Sequence, residues 1–272
     1  MPADLDLVVR VDLERLRGSI SPELFGALEK RISESSSGQD DEPTARWLLQ
    51  ALGRADTAWL AVRPGLAAEL TDSVVVLRGR FADSQGELLA PPWGHGRDLG
   101  GTVLRFERAA PKLRASPALV VLRPPDRLLI STSAEIDALD RSLEGRGEEP
   151  LRAPESGLVS GAARLQLLKE RLADRVPRVA KLLEGAAHAR AKLDRTGERY
   201  PLELELTFET PQQAAEFAQA AERVRAALVD PSRAWLGQLQ IRAFEAYVSL
   251  NVELSERDLL RAVACWIGSC TP

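Results

Sequence analysis

The chain has 272 residues, 44% hydrophobic and 28% charged, and its 40 acidic and 36 basic residues leave a net charge of −4. That is enough chain to bury one large core or two of ordinary size. Interspersed charge of both signs excludes the basic footprint of a nucleic-acid binder and the single-sign tail of a disordered partner, and no run approaches the roughly 18 consecutive apolar residues of a membrane span.

Leu5, Leu7, Val9 and Val11 alternate with Asp6, Val8 and Arg10, which predicts a first strand. Asp12 is a natural N-cap for a helix beginning at Leu13; Gly18 interrupts it, and Ser21-Pro22 restarts it. Residues 33–41 are polar and linker-like, and a short helix follows over 43–52, anchored by Trp47, Leu48 and Leu52. Strands are predicted at 57–62, 73–81 and 102–108, then a hairpin of 118–122 with 127–131. Gly79 inside the second of these signals a bulge or a close backbone approach. Thr132-Ser133-Ala134-Glu135 has the form of a capping box for a helix carrying Ile136, Leu139 and Leu143.

The stretch 145–156 is rich in Gly, Pro and charge and reads as a boundary. It separates an N-terminal α+β half, 1–147, from a C-terminal α+β half, 157–272. The second half continues with a strand near 158–163, a helix over 165–183 that Pro177 kinks or splits, and strands 187–194 and 201–208. Thr210, Pro211 and Gln213 form a second capping box before a helix with Ala214, Phe217, Ala218, Ala221, Val224 and Leu228 at helical spacing. Residues 241–254 read as one long strand with Phe244, Ala246, Val248, Leu250, Val252 and Leu254 on one face, and Ser255 to Asp258 cap a last helix. The expected fold is α+β: mainly antiparallel sheet with helices packed on one face, in two halves that look distantly alike and are candidates for a duplication.

The most site-like stretch is the connection 91–101, which gathers Trp93, His95, Arg97 and Asp98 among four glycines. Binding residues concentrate on such loops, and His95 beside Asp98 has the makings of an acid/base pair. The plainer reading, a hairpin connection whose glycines serve turn geometry, outweighs it, because no helix follows to complete a phosphate cradle. A second candidate is a basic strip of Arg78, Arg80 and Arg105 on neighbouring strands, suited to an anionic group or an acidic partner; pairing with Asp and Glu across the sheet is the simpler outcome. All but five of the 36 basic residues are Arg, which a high-GC genome explains more simply than a dedicated anion-binding surface. Ser160 sits wrongly for a nucleophile elbow, His188 alternates in a strand, and Glu203 with Glu205 lies on a wet strand face. No metal site, cofactor motif or catalytic constellation is read from the chain.

Cys265 and Cys270 are the two cysteines, and with two His they cannot build a four-ligand zinc site. A local disulfide in an oxidising compartment and a pair of unbonded thiols are both open. Met1-Pro2-Ala3-Asp4 leads straight into a strand pattern with no signal peptide ahead of it. The chain is read either as cytosolic or as the mature part of an exported protein, with the periplasm or cell envelope favoured.

The opening Leu7-Val8-Val9-Arg10-Val11-Asp12-Leu13-Glu14-Arg15-Leu16-Arg17 and the run Val75-Val76-Leu77-Arg78-Gly79-Arg80-Phe81 resemble uncharacterised exported or lipoprotein-type proteins of high-GC bacteria. Such proteins bring no known activity to carry over. The expected function is a non-enzymatic binding or structural interaction protein, the soluble part of a cell-envelope protein, with a protein or small-molecule partner. The rival is a small-ligand carrier or enzyme with a pocket between helices and sheet, lidded by the 91–101 loop. A homo-oligomer that buries an open sheet face is the third option.

Overall fold

The computed structural model describes residues 5–19, 42–64, 71–82, 97–98, 104–107, 117–123, 126–144, 151–166, 180–181, 183–227 and 237–259. They fall into two compact units, Met1–Leu151 and Arg152–Pro272.

Among the described residues the first unit has seven antiparallel strands: β1 (Leu7–Asp12), β2 (Ala55–Pro64), β3 (Thr71–Gly79), β4 (Arg97–Asp98), β5 (Leu104–Glu107), β6 (Pro117–Arg123) and β7 (Arg127–Thr132). Their order across the sheet is β1-β2-β3-β7-β6-β5-β4. Helix α1 (Leu13–Ser19) follows β1, and Asp12 caps it by accepting the Arg15 amide at 3.0 Å. Helix α2 (Glu42–Arg54) lays Trp47 and Ala51 on one face of the sheet. Register fixes which face: Ala58, Leu77, Leu128 and Leu122 lie on one rung, and Ile130, Val120 and Phe106 on the next.

The other face is also covered. A 3₁₀ turn (Ser133–Glu135) leads into α3 (Ile136–Leu143). Glu135 reaches Arg63 at 2.8 Å and Asp140 reaches Arg105 at 2.6 Å, and register puts both arginines on the face opposite Leu77. Helices therefore lie on both faces of this sheet, where the sequence pattern predicts one. The cause is visible in β6: Leu119, Val120, Val121 and Leu122 are all buried, a continuous apolar run that needs cover on both sides. The expected capping box at Thr132 does not form. The Thr132 hydroxyl instead accepts the Ser73 amide at 3.1 Å, and Glu135 turns inward to Arg63.

Gly79 is a close approach, as its place in a strand predicts. A Cβ there would fall on the Arg54 carbonyl and within 2.6 Å of the Ala55 Cα, beside the register shift in β2.

Among the described residues the second unit has five antiparallel strands: β8 (Val159–Arg164), β9 (Ala186–Leu193), β10 (Arg199–Phe208), β11 (Gln240–Phe244) and β12 (Tyr247–Ser255), ordered β8-β9-β10-β12-β11. Between β10 and β11 lies α4 (Pro211–Ala227). Its capping box is made in full: the Thr210 amide donates to Gln213 Oε1 at 3.1 Å, and the Gln213 amide donates to Thr210 Oγ1 at 3.3 Å. Alternation in β10 puts Tyr200, Leu202, Leu206 and Phe208 on the face that α4 covers. There Ala214 is buried, and the Phe217 ring stacks obliquely on Phe208 at 5.3 Å. Leu158, Tyr200, Val252 and Leu254 form the core at the other end of the same face. The Ser255–Asp258 cap is also present, with the Asp258 amide donating to Ser255 Oγ at 3.2 Å.

The long strand expected over 241–254 is instead a hairpin. Phe244 pairs with Tyr247, and Glu245 and Ala246 make the turn. Glu245 takes a φ of 50°, the left-handed value that the first central position of a tight hairpin turn requires. The fold-back reverses the parity before the turn, so Phe244 points to the face opposite Val248 rather than sharing it.

Candidate interaction surface

The second face of this unit's sheet is polar and unlike the face under α4. Register gives three rungs across β9, β10, β12 and β11. His188, Thr207, Tyr247 and Phe244 form one, Arg190, Glu205, Ser249 and Arg242 the next, and Lys192, Glu203, Asn251 and Gln240 the third. On β9 and β10 each cation lies opposite a carboxylate: Arg190 opposite Glu205, and Lys192 opposite Glu203. That places Glu203 and Glu205 on the wet strand face the sequence predicts, each opposite a cation.

The ladder changes character at β11. Arg242 lies opposite Ser249, and its guanidinium donates to Gln240 Oε1 at 3.5 Å. One rung on, Phe244 is 73% exposed and Tyr247, directly across from it, is 52% exposed. Of the exposed large apolar side chains among the described residues, these two are the most exposed. They sit at the tip of a hairpin whose outer strand, β11, ends the sheet. An edge strand with exposed aromatics and one cation offers main-chain groups for pairing and side chains for anchoring.

Of the residues singled out in the sequence, Trp93, His95, Cys265 and Cys270 lie outside the described residues. Arg97 and Asp98 form the short edge strand β4, paired with Arg105 and Leu104, so two of the four loop residues serve strand pairing. Arg78 and Arg105 do project from the same face of the first sheet, but two strands intervene. Arg78 is exposed and lies 3.5 Å from Asp126. Arg105 is 16% exposed and held by Asp140, so it is taken up in seating α3 rather than offered to solvent. Arg80 is exposed just past Gly79, and its amide donates to the Arg54 carbonyl at 3.1 Å. A continuous basic strip is not formed by these three. The alternation over 241–254 predicts an unbroken strand in which Phe244 shares a buried face with Val248, and the hairpin turn that exposes the aromatic pair carries no sequence signal.

A cavity of about 840 Å³ opens along α4, lined by Phe217, Ala220 and Val224 together with Lys181, Glu184 and Arg223. Among its described lining residues are none from the loop expected as a lid.

No protein-family model matches the chain, and no curated protein matches it. Among solved structures it is similar to three crystal forms of the protein TP0453. Form III gives a TM-score of 0.55 at 11% identity, covering 97% of this chain and 95% of that one. Form IV gives 0.54 at 11% identity, covering 96% and 94%. Form I gives 0.53 at 11% identity, covering 97% and 95%. At that identity the likeness is one of fold.

Proposed function

We propose that the chain is a non-enzymatic interaction protein, the soluble part of a cell-envelope protein, that docks a protein partner on the β11–β12 hairpin. The observation that carries the reading is the exposure of Phe244 and Tyr247, facing each other beside Arg242 on the edge of a sheet whose inner strands are charge-paired. Tyr, Phe and Arg are the side chains that concentrate binding energy at interfaces. Exposed apolar side chains scattered singly need no explanation, but an aligned aromatic pair on an open edge does.

The test is site-specific photocrosslinking in the cells that make the protein, with benzoylphenylalanine in place of Phe244 in the full chain. Covalent protein adducts are expected from this position. The comparison is with the same group at Glu198, exposed in the turn between β9 and β10. Equal adduct yields from both positions, or none from either, would reduce the hairpin to ordinary surface.

The cavity along α4 favours a second reading, a small-ligand carrier, since about 840 Å³ falls within the range of ligand pockets. Saturable binding of anilinonaphthalene sulfonate that Ala220→Arg abolishes would support it. Binding unchanged by that substitution would count against it.

A further inference from the structure

The partner of the hairpin is identified by the pattern of β11 itself. Resting on the interaction reading above, we propose that β11 pairs antiparallel with β11 of a second copy of this chain, about a twofold axis through Ala243.

Three observations select this arrangement. The first is the hydrogen-bond phase. Phe244 and Tyr247 close a two-residue turn, which makes them a hydrogen-bonded pair. Alternation along an antiparallel ladder then commits the main-chain groups of Arg242 and Gln240 to β12 as well. The N–H and C=O of Ile241 and Ala243 point away from the sheet, and they are the groups a new strand would meet. A twofold at Arg242 would also use them, with Ile241 facing Ala243 of the second copy, but it sets the two Arg242 side chains directly against each other.

The second observation is the side-chain order. Arg242 and Phe244 are two apart on one face, both exposed, with the small Ala243 between them on the other. A twofold at Ala243 places Arg242 opposite Phe244 of the second copy, and Phe244 opposite its Arg242. A guanidinium set over an aromatic face is attractive, and the symmetric interface makes the contact twice. These rungs are the non-hydrogen-bonded ones of the new ladder, where facing side chains come closest. Tyr247 extends each contact into a row of Tyr, Phe and Arg. A twofold at Ile241, the other position with outward groups, would set Arg242 against Gln240 and leave Phe244 beyond the pairing.

The third is that, among the described residues, β11 lacks two of the devices that block edge pairing. Gln240, Arg242, Ala243 and Phe244 are all exposed, and β11 carries neither Pro nor Lys. These are among the devices by which edge strands block such contacts. Three residues of each β11, Arg242 to Phe244, pair in this register, which makes a small interface, so the association is weak and concentration-dependent.

The experiment is sedimentation velocity on the full chain from low to high micromolar concentration, with circular dichroism to confirm that each variant folds. The wild type is expected to shift from monomer towards dimer. Phe244→Arg sets Arg against Arg on two rungs and is expected to weaken association by about tenfold or more. Ala243→Pro removes the donor at the axis and is expected to leave a monomer. The decisive variant is the exchange Arg242→Phe with Phe244→Arg, which restores both facing pairs in this register alone and is expected to recover the dimer. A wild type that stays monomeric throughout overturns the proposal. So does a dimer that Phe244→Arg leaves intact, or one that the exchange fails to restore. Photocrosslinks from position 244 to a different protein, with no self-adduct, would sink the second copy as partner and leave the interaction reading standing. No crosslinks at all would sink both.

Discussion

Glu135 is 2% exposed, and its carboxylate lies 2.8 Å from Arg63, which is 36% exposed. The residue was legible in the sequence as a capping carboxylate, because Thr-x-x-Glu before an apolar run is a capping signature. What sequence could not show is that β2 delivers a guanidinium to the same place, where the pull on the carboxylate is stronger than that of a helix amide. The two partners are unequal in consequence. Arg63→Ala leaves the carboxylate buried beside fewer donors and is expected to cost about 3 kcal/mol, whereas Glu135→Gln keeps a hydrogen-bond acceptor and is expected to cost about 1 kcal/mol. Urea unfolding of both variants checks the order; equal costs would mean that the pair is worth no more than its shape. Glu245 runs the other way. Its φ of 50° is one that L side chains adopt at a cost and Gly does not. Glu245→Gly is expected to raise stability by about 1 kcal/mol in the same assay, and an unchanged urea midpoint would show that the turn holds no strain.

At the level of elements, local rules succeeded where the partners they need are close in sequence. Asp12, Thr210 and Ser255 all cap as the sequence predicts, and each uses a group three residues on. They failed where a tertiary partner intervened, as at Thr132, whose hydroxyl serves Ser73 some 59 positions away. The two Thr-x-x-acid/amide motifs therefore separate under mutation. Thr210→Ala is expected to cost about 1 kcal/mol and to raise amide exchange only in the first turn of α4. Thr132→Ala is expected to raise exchange at Ser73, in a strand, and to leave the start of α3 untouched. Exchange that rises in the first turn of α3 instead would restore the capping role. The hairpin at Glu245-Ala246 was illegible for a related reason: neither residue is a turn former, so nothing broke the alternation from Ile241 to Leu254. That one missed turn also hid the aromatic pair, since it reverses the face of every side chain on β11.

For the whole molecule, the antiparallel pairing of the strands in each unit was legible because alternating strands separated by short polar turns leave few other solutions. The second cover on the first sheet was not, because a run such as Ala118 to Leu122 reads equally as a strand buried on one side or two. A hairpin followed by a helix recurs, as β6–β7 into α3 and β9–β10 into α4, and that recurrence is what supports proposing a duplication. The placement in the cell envelope is tested by Cys265 and Cys270, outside the described residues. Five positions apart, they could close a small ring only where the compartment oxidises them. Protein taken from an oxidising compartment and alkylated under denaturing conditions is expected to keep both thiols protected until reductant is added, as read by intact mass. A ring this small constrains little unfolded chain, so reduction is expected to lower stability by no more than about 2 kcal/mol. Thiols that alkylate without reductant would remove the disulfide and the chemical argument for export with it. The hairpin would then have to find its partner, the second copy included, in a reducing compartment.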